Sequence, residues 1–196
     1  MYLMFYFNIL FLILFASTLA FSGNIHGRVD IRFEDNNSGV VVYIDKIAGL
    51  TFAPPAKHAR INQKDFRFIP KVLPVLRGTV VDFLNSDNVL HNVFSPDAPD
   101  GKFNLGTWPK GFVRADTFRT AGVATILCNV HPEMEAYVLA LDSPYFAKSD
   151  SLGDYLIQDV PPGEYTLTAW YFSEADQKKK VTVPKTGQVQ INFIFK

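Results

Sequence analysis

Cys128-Asn129-Val130-His131-Pro132-Glu133-Met134 places a thiolate, an imidazole and a thioether within one short stretch, and its flanks say how they are held. Ala124-Thr125-Ile126-Leu127 reads as a buried strand ending at Cys128, and Tyr137-Val138-Leu139-Ala140 as the next strand, starting just after Met134. The three side chains therefore share one tight loop. A second imidazole, His91 in Leu90-His91-Asn92-Val93, lies 37 positions before Cys128 (128 minus 91). It follows the apolar segment Thr79-Val80-Val81-Asp82-Phe83-Leu84, so strand pairing can bring it across to the loop. Two His and one Cys form a trigonal plane that serves both oxidation states of a single copper ion, and a long axial Met tunes the potential without leaving an open position for substrate. The chemistry implied by such a donor set is electron transfer rather than turnover.

These residues, with Phe66-Arg67-Phe68-Ile69-Pro70 and Gly78-Thr79-Val80-Val81-Asp82-Phe83-Leu84-Asn85, resemble the cupredoxins from about Arg60 to Asp142. The Cys-x-x-His-x-x-Met spacing is similar to the short ligand loop of amicyanin rather than the longer loop of plastocyanin. The resemblance implies a Greek-key sandwich binding one type 1 copper ion through His91, Cys128, His131 and Met134. Asn92 would then tie the His91 loop to the thiolate loop, the kind of partner that orients ligands and tunes a metal. It also implies that His131 is the more accessible imidazole and the exit for electrons, with His91 deeper.

Each residue alone has a plainer reading. A lone Cys or Met is commonly a packed hydrophobe, and a lone His a surface group. The conjunction of spacing, order and strand context favours ligation. Zinc also accepts Cys and His, but Met is a poor zinc ligand. Enzyme readings lack their parts. A multicopper oxidase needs further His-x-His ligands, whereas the chain has four histidines, none in that pattern. A dinuclear purple copper centre needs two cysteines, and Cys128 is alone. A Cys-His protease would need the thiolate and its base to face each other across a substrate cleft. His26 and His58 match no ligand position and read as surface residues.

Residues 1–22 carry no charged side chain and run through Phe5, Ile9, Leu10, Phe11, Leu12, Ile13, Leu14 and Phe15, which reads as an export segment. Ala20 and Ser22 before Gly23 fit a small-x-small cleavage site. The basic flank of a signal peptide is missing, so an uncleaved anchor long enough to span a bilayer is the alternative. Either way the remainder is expected in the periplasm or otherwise exported, touching a membrane only if that segment is retained. The chain has 19 Lys plus Arg and 19 Asp plus Glu, a balance that disfavours nucleic acid as a partner. The partners implied are other redox proteins. One cysteine excludes an intramolecular disulfide despite the oxidising destination.

Short Val, Ile, Phe, Tyr and Thr-rich runs separated by Gly, Pro, Asn and Asp clusters make the exported part all-β. Outside the copper region, strands are expected over residues 24–33, 40–45, 154–160, 164–171, 179–183 and 188–195. Gly153-Asp154-Tyr155-Leu156-Ile157-Gln158-Asp159-Val160-Pro161-Pro162-Gly163-Glu164-Tyr165-Thr166-Leu167 resembles the carboxypeptidase regulatory-like β-sandwich family, whose opening strands are similar to Gly27-Arg28-Val29-Asp30-Ile31 and Val40-Val41-Val42-Tyr43-Ile44-Asp45. The resulting expectation is a split sandwich of residues 23–57 and 143–196, with a cupredoxin of residues 58–142 inserted between its halves. The alternative is one enlarged cupredoxin with extra strands at both ends. Residues 95–119, rich in Gly and Pro, read as a long excursion beside the metal. Phe94, Phe103, Trp108 and Phe112 in and next to it are either a docking patch or packed onto the sheet. Lys178-Lys179-Lys180 reads as a solvated edge. Two other functional readings stay open, a copper-delivery protein without redox cycling and an interaction module dominated by the sandwich.

Overall fold

The structure, a computed structural model, describes residues 21–196, so residues 1–20 of the expected export segment lie outside the described residues. No helix among the described residues is long and apolar enough to cross a membrane. The architecture is all-β. In chain order the strands are β1 (Gly23–Ile31) and β2 (Val41–Ile44), followed by β3 (Ala59–Lys64), β4 (Arg67–Ile69), β5 (Val72–Leu76), β6 (Thr79–Asn85), β7 (His91–Ser95), β8 (Phe103–Trp108), β9 (Val113–Phe118), β10 (Gly122–Leu127) and β11 (Glu135–Leu141). The last are β12 (Phe146–Lys148), β13 (Asp154–Val160), β14 (Gly163–Trp170), β15 (Gln177–Val183), β16 (Gln188–Gln190) and β17 (Phe193–Phe195).

Strands β3 to β11 form two sheets, ordered β4-β3-β6-β9 and β5-β11-β10-β7-β8, with the pairs β3–β6 and β5–β11 parallel. Alternation decides which side chains fill the space between them. In β6, Thr79, Val81, Phe83 and Asn85 face in, and in β10 Ala124 and Ile126 do, which carries Cys128 into the same interior. Ile61, Val81, Phe83, Val93, Ile126, Ala136 and Val138 are fully buried there, in one cluster with Cys128 and Met134.

The remaining strands, all from the two ends of the chain, form a sheet ordered β13-β1-β16, with β17 also on β1, and another ordered β12-β2-β14-β15. Their core is separate, built on Ile25, Val29, Ile44, Leu167, Phe193 and Phe195. A third cluster joins the two pairs of sheets. Val41 and Trp170 from the outer strands meet Val72, Leu139 and Leu141 from the inner ones. Tyr137 stacks on Phe172 at 5.5 Å and 16°, and Lys71 Nζ sits 3.9 Å from the centre of the same Phe172 ring.

Two expectations change. The single strand expected over residues 188–195 is interrupted, because β1 turns its backbone needs elsewhere at Gly27 and Arg28. The Arg28 amide donates to Asn192 Oδ1 at 2.9 Å, and the Ile191 carbonyl approaches Gly27 so closely that a Cβ there would lie 1.7 Å from its oxygen. Residues 95–119 are not an irregular excursion but contain β8 and β9, which pair with β7 and β6 in opposite sheets, the Pro109–Phe112 stretch carrying the chain between them. Trp108 is buried, Phe94 and Phe103 are half-buried, and Phe112 alone of the four is exposed. The basic run lies on the edge strand β15 with its side chains exposed.

Burial raises the phenol pKa of Tyr43, Tyr137 and Tyr155, and pushes Tyr171 up to about 12, with the charge of Glu34 and a 3.4 Å bond from Tyr171 Oη to its carboxylate adding to the shift. A group whose folded pKa is raised holds its proton while the unfolded chain loses it. Its stabilisation is complete below the ordinary phenol value of about 10 and is lost as pH rises through the folded value. Melting temperature is therefore expected to fall from about pH 10 towards 12, and Tyr171→Phe to make that fall shallower. Thermal melts across this range check both, and an identical slope in the variant would contradict the assignment.

Candidate metal centre

The loop between β10 and β11 runs from Cys128 to Met134 and is closed by the Met134 amide donating to the His131 carbonyl at 3.0 Å. It opens towards β7, where His91 begins the strand. The metal-binding atoms of His91, Cys128 and His131 all lie within 4.8 Å of one another, the one such group of three or more His, Cys, Asp or Glu found among the described residues. Cys128 is 3 % exposed and His91 0 %, whereas His131 is half-buried, so His131 presents the outer edge of the group. Met134 is 1 % exposed and packs in the same core cluster as Cys128. His26 is half-buried and His58 exposed, the latter paired with Asp82 at 2.9 Å.

The donor chemistry fits a metal. The Nδ1 atoms of His91 and His131 face each other at 3.0 Å. His91 Nε2 lies 2.8 Å from Asp87 Oδ2. An ionised carboxylate only accepts, so the His91 proton belongs on Nε2 and the Nδ1 lone pair is left pointing at His131. Two imidazole nitrogens and a sulfur converging on one point, two of the three groups removed from water, is an arrangement that a cation would satisfy.

Hydrogen bonds hold the parts in register. The Asn92 amide donates to Cys128 Sγ at 3.5 Å, tying β7 to the sulfur. Asn92 Oδ1 accepts from the Asn129 amide at 3.3 Å, linking β7 to the ligand loop. Its Nδ2 donates to Asn104 Oδ1 at 2.8 Å and to the Gly106 carbonyl at 2.9 Å, so β8 also fixes the side chain. Asn85, fully buried, donates from Nδ2 to the Val89 and Trp108 carbonyls and accepts from the Asp87 amide, shaping the loop that leads into His91.

Asp87 and Phe66 belong to the site, and neither was given a role there from the sequence. Burial raises the Asp87 carboxyl, but hydrogen bonds from His91 and from the Phe66 and Asp65 amides outweigh it and hold the group below the ordinary carboxylate range. The Phe66 ring stands edge-on to His131 at 4.8 Å and to His91 at 5.9 Å. Phe66 was legible as part of a motif, yet its role depends on a turn that only tertiary contacts define. Asp87 precedes His91 by four residues, a spacing without meaning in a loop until the loop's path is known.

Neither a protein-family model nor a curated protein matches the sequence. Solved structures do. A purple cupredoxin from Nitrosopumilus maritimus is similar at 26 % identity with a TM-score of 0.38, over 42 % of this chain and 98 % of that one. A reduced amicyanin variant is similar at 21 % identity with a TM-score of 0.41, over 50 % of this chain and 97 % of that one. A copper-containing nitrite reductase from Thermus scotoductus SA-01 is similar at 22 % identity with a TM-score of 0.43, over 50 % of this chain and 25 % of that one.

Proposed function

We propose that the protein is an exported electron carrier that holds one copper ion through His91, Cys128, His131 and Met134, and exchanges electrons with other redox proteins. The observation that carries this reading is the convergence of His91, Cys128 and His131 within 4.8 Å at the end of a rigid sandwich. When bound, copper would supply a one-electron couple. The chain's own residues do the rest. Asn92 and Asp87 fix the ligand positions before and after electron transfer, so little reorganisation accompanies the change of charge. The buried side of the group excludes water. His131 offers the route out, flanked by the exposed apolar side chains Val130 and Phe66, which suit brief contact with a partner.

The split sandwich of residues 23–57 and 143–196 around a cupredoxin of residues 58–142 is part of this proposal, supported by the two sets of sheets and their separate cores. Export is supported by the uncharged apolar residues 1–22.

The test is repeated reduction and reoxidation of the copper-loaded protein. A carrier keeps its metal and regains its full visible spectrum over many cycles. Release of copper on each reduction would point instead to delivery.

A further inference from the structure

The turn between β3 and β4 has an unusual backbone: Asp65 and Phe66, neither of them glycine, both adopt left-handed conformations, with φ of 53° and 57°. Positive φ at both residues is the type I′ geometry of a two-residue hairpin loop, set by the Lys64–Arg67 pairing on either side, but Phe66 occupies the position where glycine is usual and its strain is offset by surrounding contacts. Here the contacts are the two successive amides, which both donate to Asp87, Asp65 N to Oδ1 at 2.8 Å and Phe66 N to Oδ2 at 3.1 Å. Consecutive N–H groups aimed at one anion form a concave binding site for it. The same Oδ2 faces His91 Nε2 at 2.8 Å, so one carboxylate holds an imidazole and the turn together. Asp87 is fixed in its own place by its amide, which donates to Asn85 Oδ1 at 2.9 Å.

The turn in turn sets Phe66. Its ring lies edge-on to both imidazoles, at interplanar angles of 88° to His91 and 82° to His131, and the residue as a whole is 46 % exposed. Phe66 thus stands between solvent and the two rings.

We propose that Asp87 is a positioning residue with two coupled effects: it fixes the ring of His91, and through the Asp65–Phe66 turn it holds Phe66 as an aromatic cover that keeps small exogenous ligands off the metal. The proposal rests on reading His91 and His131 as ligands. Phe66→Leu removes the ring and keeps the turn's backbone bonds, whereas Asp87→Ala removes both effects.

The experiment compares native protein, Asp87→Ala, Phe66→Leu and the double variant, loaded with copper and titrated with azide, alongside measurements of copper affinity and reduction potential. Asp87→Ala is expected to lower copper affinity by roughly 10- to 100-fold, the usual consequence of removing the partner of a ligating imidazole, to shift the potential, and to make the visible spectrum respond to azide. Phe66→Leu is expected to confer azide sensitivity with a smaller loss of affinity. The double variant should be no more azide-sensitive than Asp87→Ala. Azide responses in both single variants as weak as in native protein would overturn the proposal, as would additive responses in the double variant.

A readout on metal-free protein separates this inference from the copper reading. Hydrogen exchange at the Asp65 and Phe66 amides is expected to be slow in native protein and to accelerate in Asp87→Ala, whether or not copper binds. Equal rates would overturn the clasp. Failure of native protein to take up copper would instead sink the proposed function.

Discussion

Cys128→Ser protein is expected to remain colourless with copper, while Met134→Leu protein keeps an intense visible band and shifts its reduction potential. The two side chains are almost equally buried, at 3 % and 1 % exposure, and pack in the same cluster, so a difference in packing does not separate the variants. What separates them is bonding. The colour of a type 1 site is charge transfer from thiolate sulfur, and serine has none to give. A Met134 thioether bound axially would form a long, weak bond that sets potential more than colour. Leucine for methionine is close to volume-conserving and should cost less than about 1.5 kcal/mol of stability. Absorption spectra and voltammetry of the two copper-loaded variants check this. An intensely coloured Cys128→Ser protein would show that Cys128 is not the source of the band.

Residues 58–142 made alone are expected to fold and bind copper, and the outer strands, joined across the gap by a short Gly/Ser linker, to fold as a copper-free β domain. The reason lies in hydrogen bonding. The sheets ordered β4-β3-β6-β9 and β5-β11-β10-β7-β8 take strands only from the middle of the chain, and the other two only from its ends. Cutting them apart breaks no strand pair. It does expose the shared cluster, Val72, Leu139 and Leu141 on one side and Val41 and Trp170 on the other. Both pieces are therefore expected to melt below the intact chain, since buried apolar area returns to water. Thermal melts and copper-binding spectra of the pieces decide the matter. An unfolded middle piece, with no cooperative melting of the joined ends, would mean one enlarged domain.

The ligand loop was legible because its chemistry is local. Cys128, His131 and Met134 lie on one turn between two strands whose alternation is plain, and β13 spans Asp154–Val160 as expected. Legibility ended where one local signal stood for two structures. Pro99, Gly101, Gly106, Pro109 and Gly111 suggest irregular chain, yet Gly106, at φ 76°, sits inside β8, beside an irregularity in its pairing with β7 between Asn92 and Phe94. The apolar alternation from Gln188 to Phe195 suggests one strand, but the close approach of Ile191 to Gly27 breaks it. Asp87 illustrates a deeper limit. Nothing in Asn85-Ser86-Asp87-Asn88 distinguishes a solvated loop carboxylate from one that accepts two amides and an imidazole, because its partners Asp65 and Phe66 are more than twenty residues away.

Whether the chain builds a thiolate copper site is decided by adding copper(II) in steps to the purified, metal-free protein while recording its visible spectrum. An intense band is expected to grow to an end point at one copper per chain, to bleach on reduction and to return on reoxidation. A weak band only, or none at one equivalent, would contradict a site built from Cys128, His91 and His131.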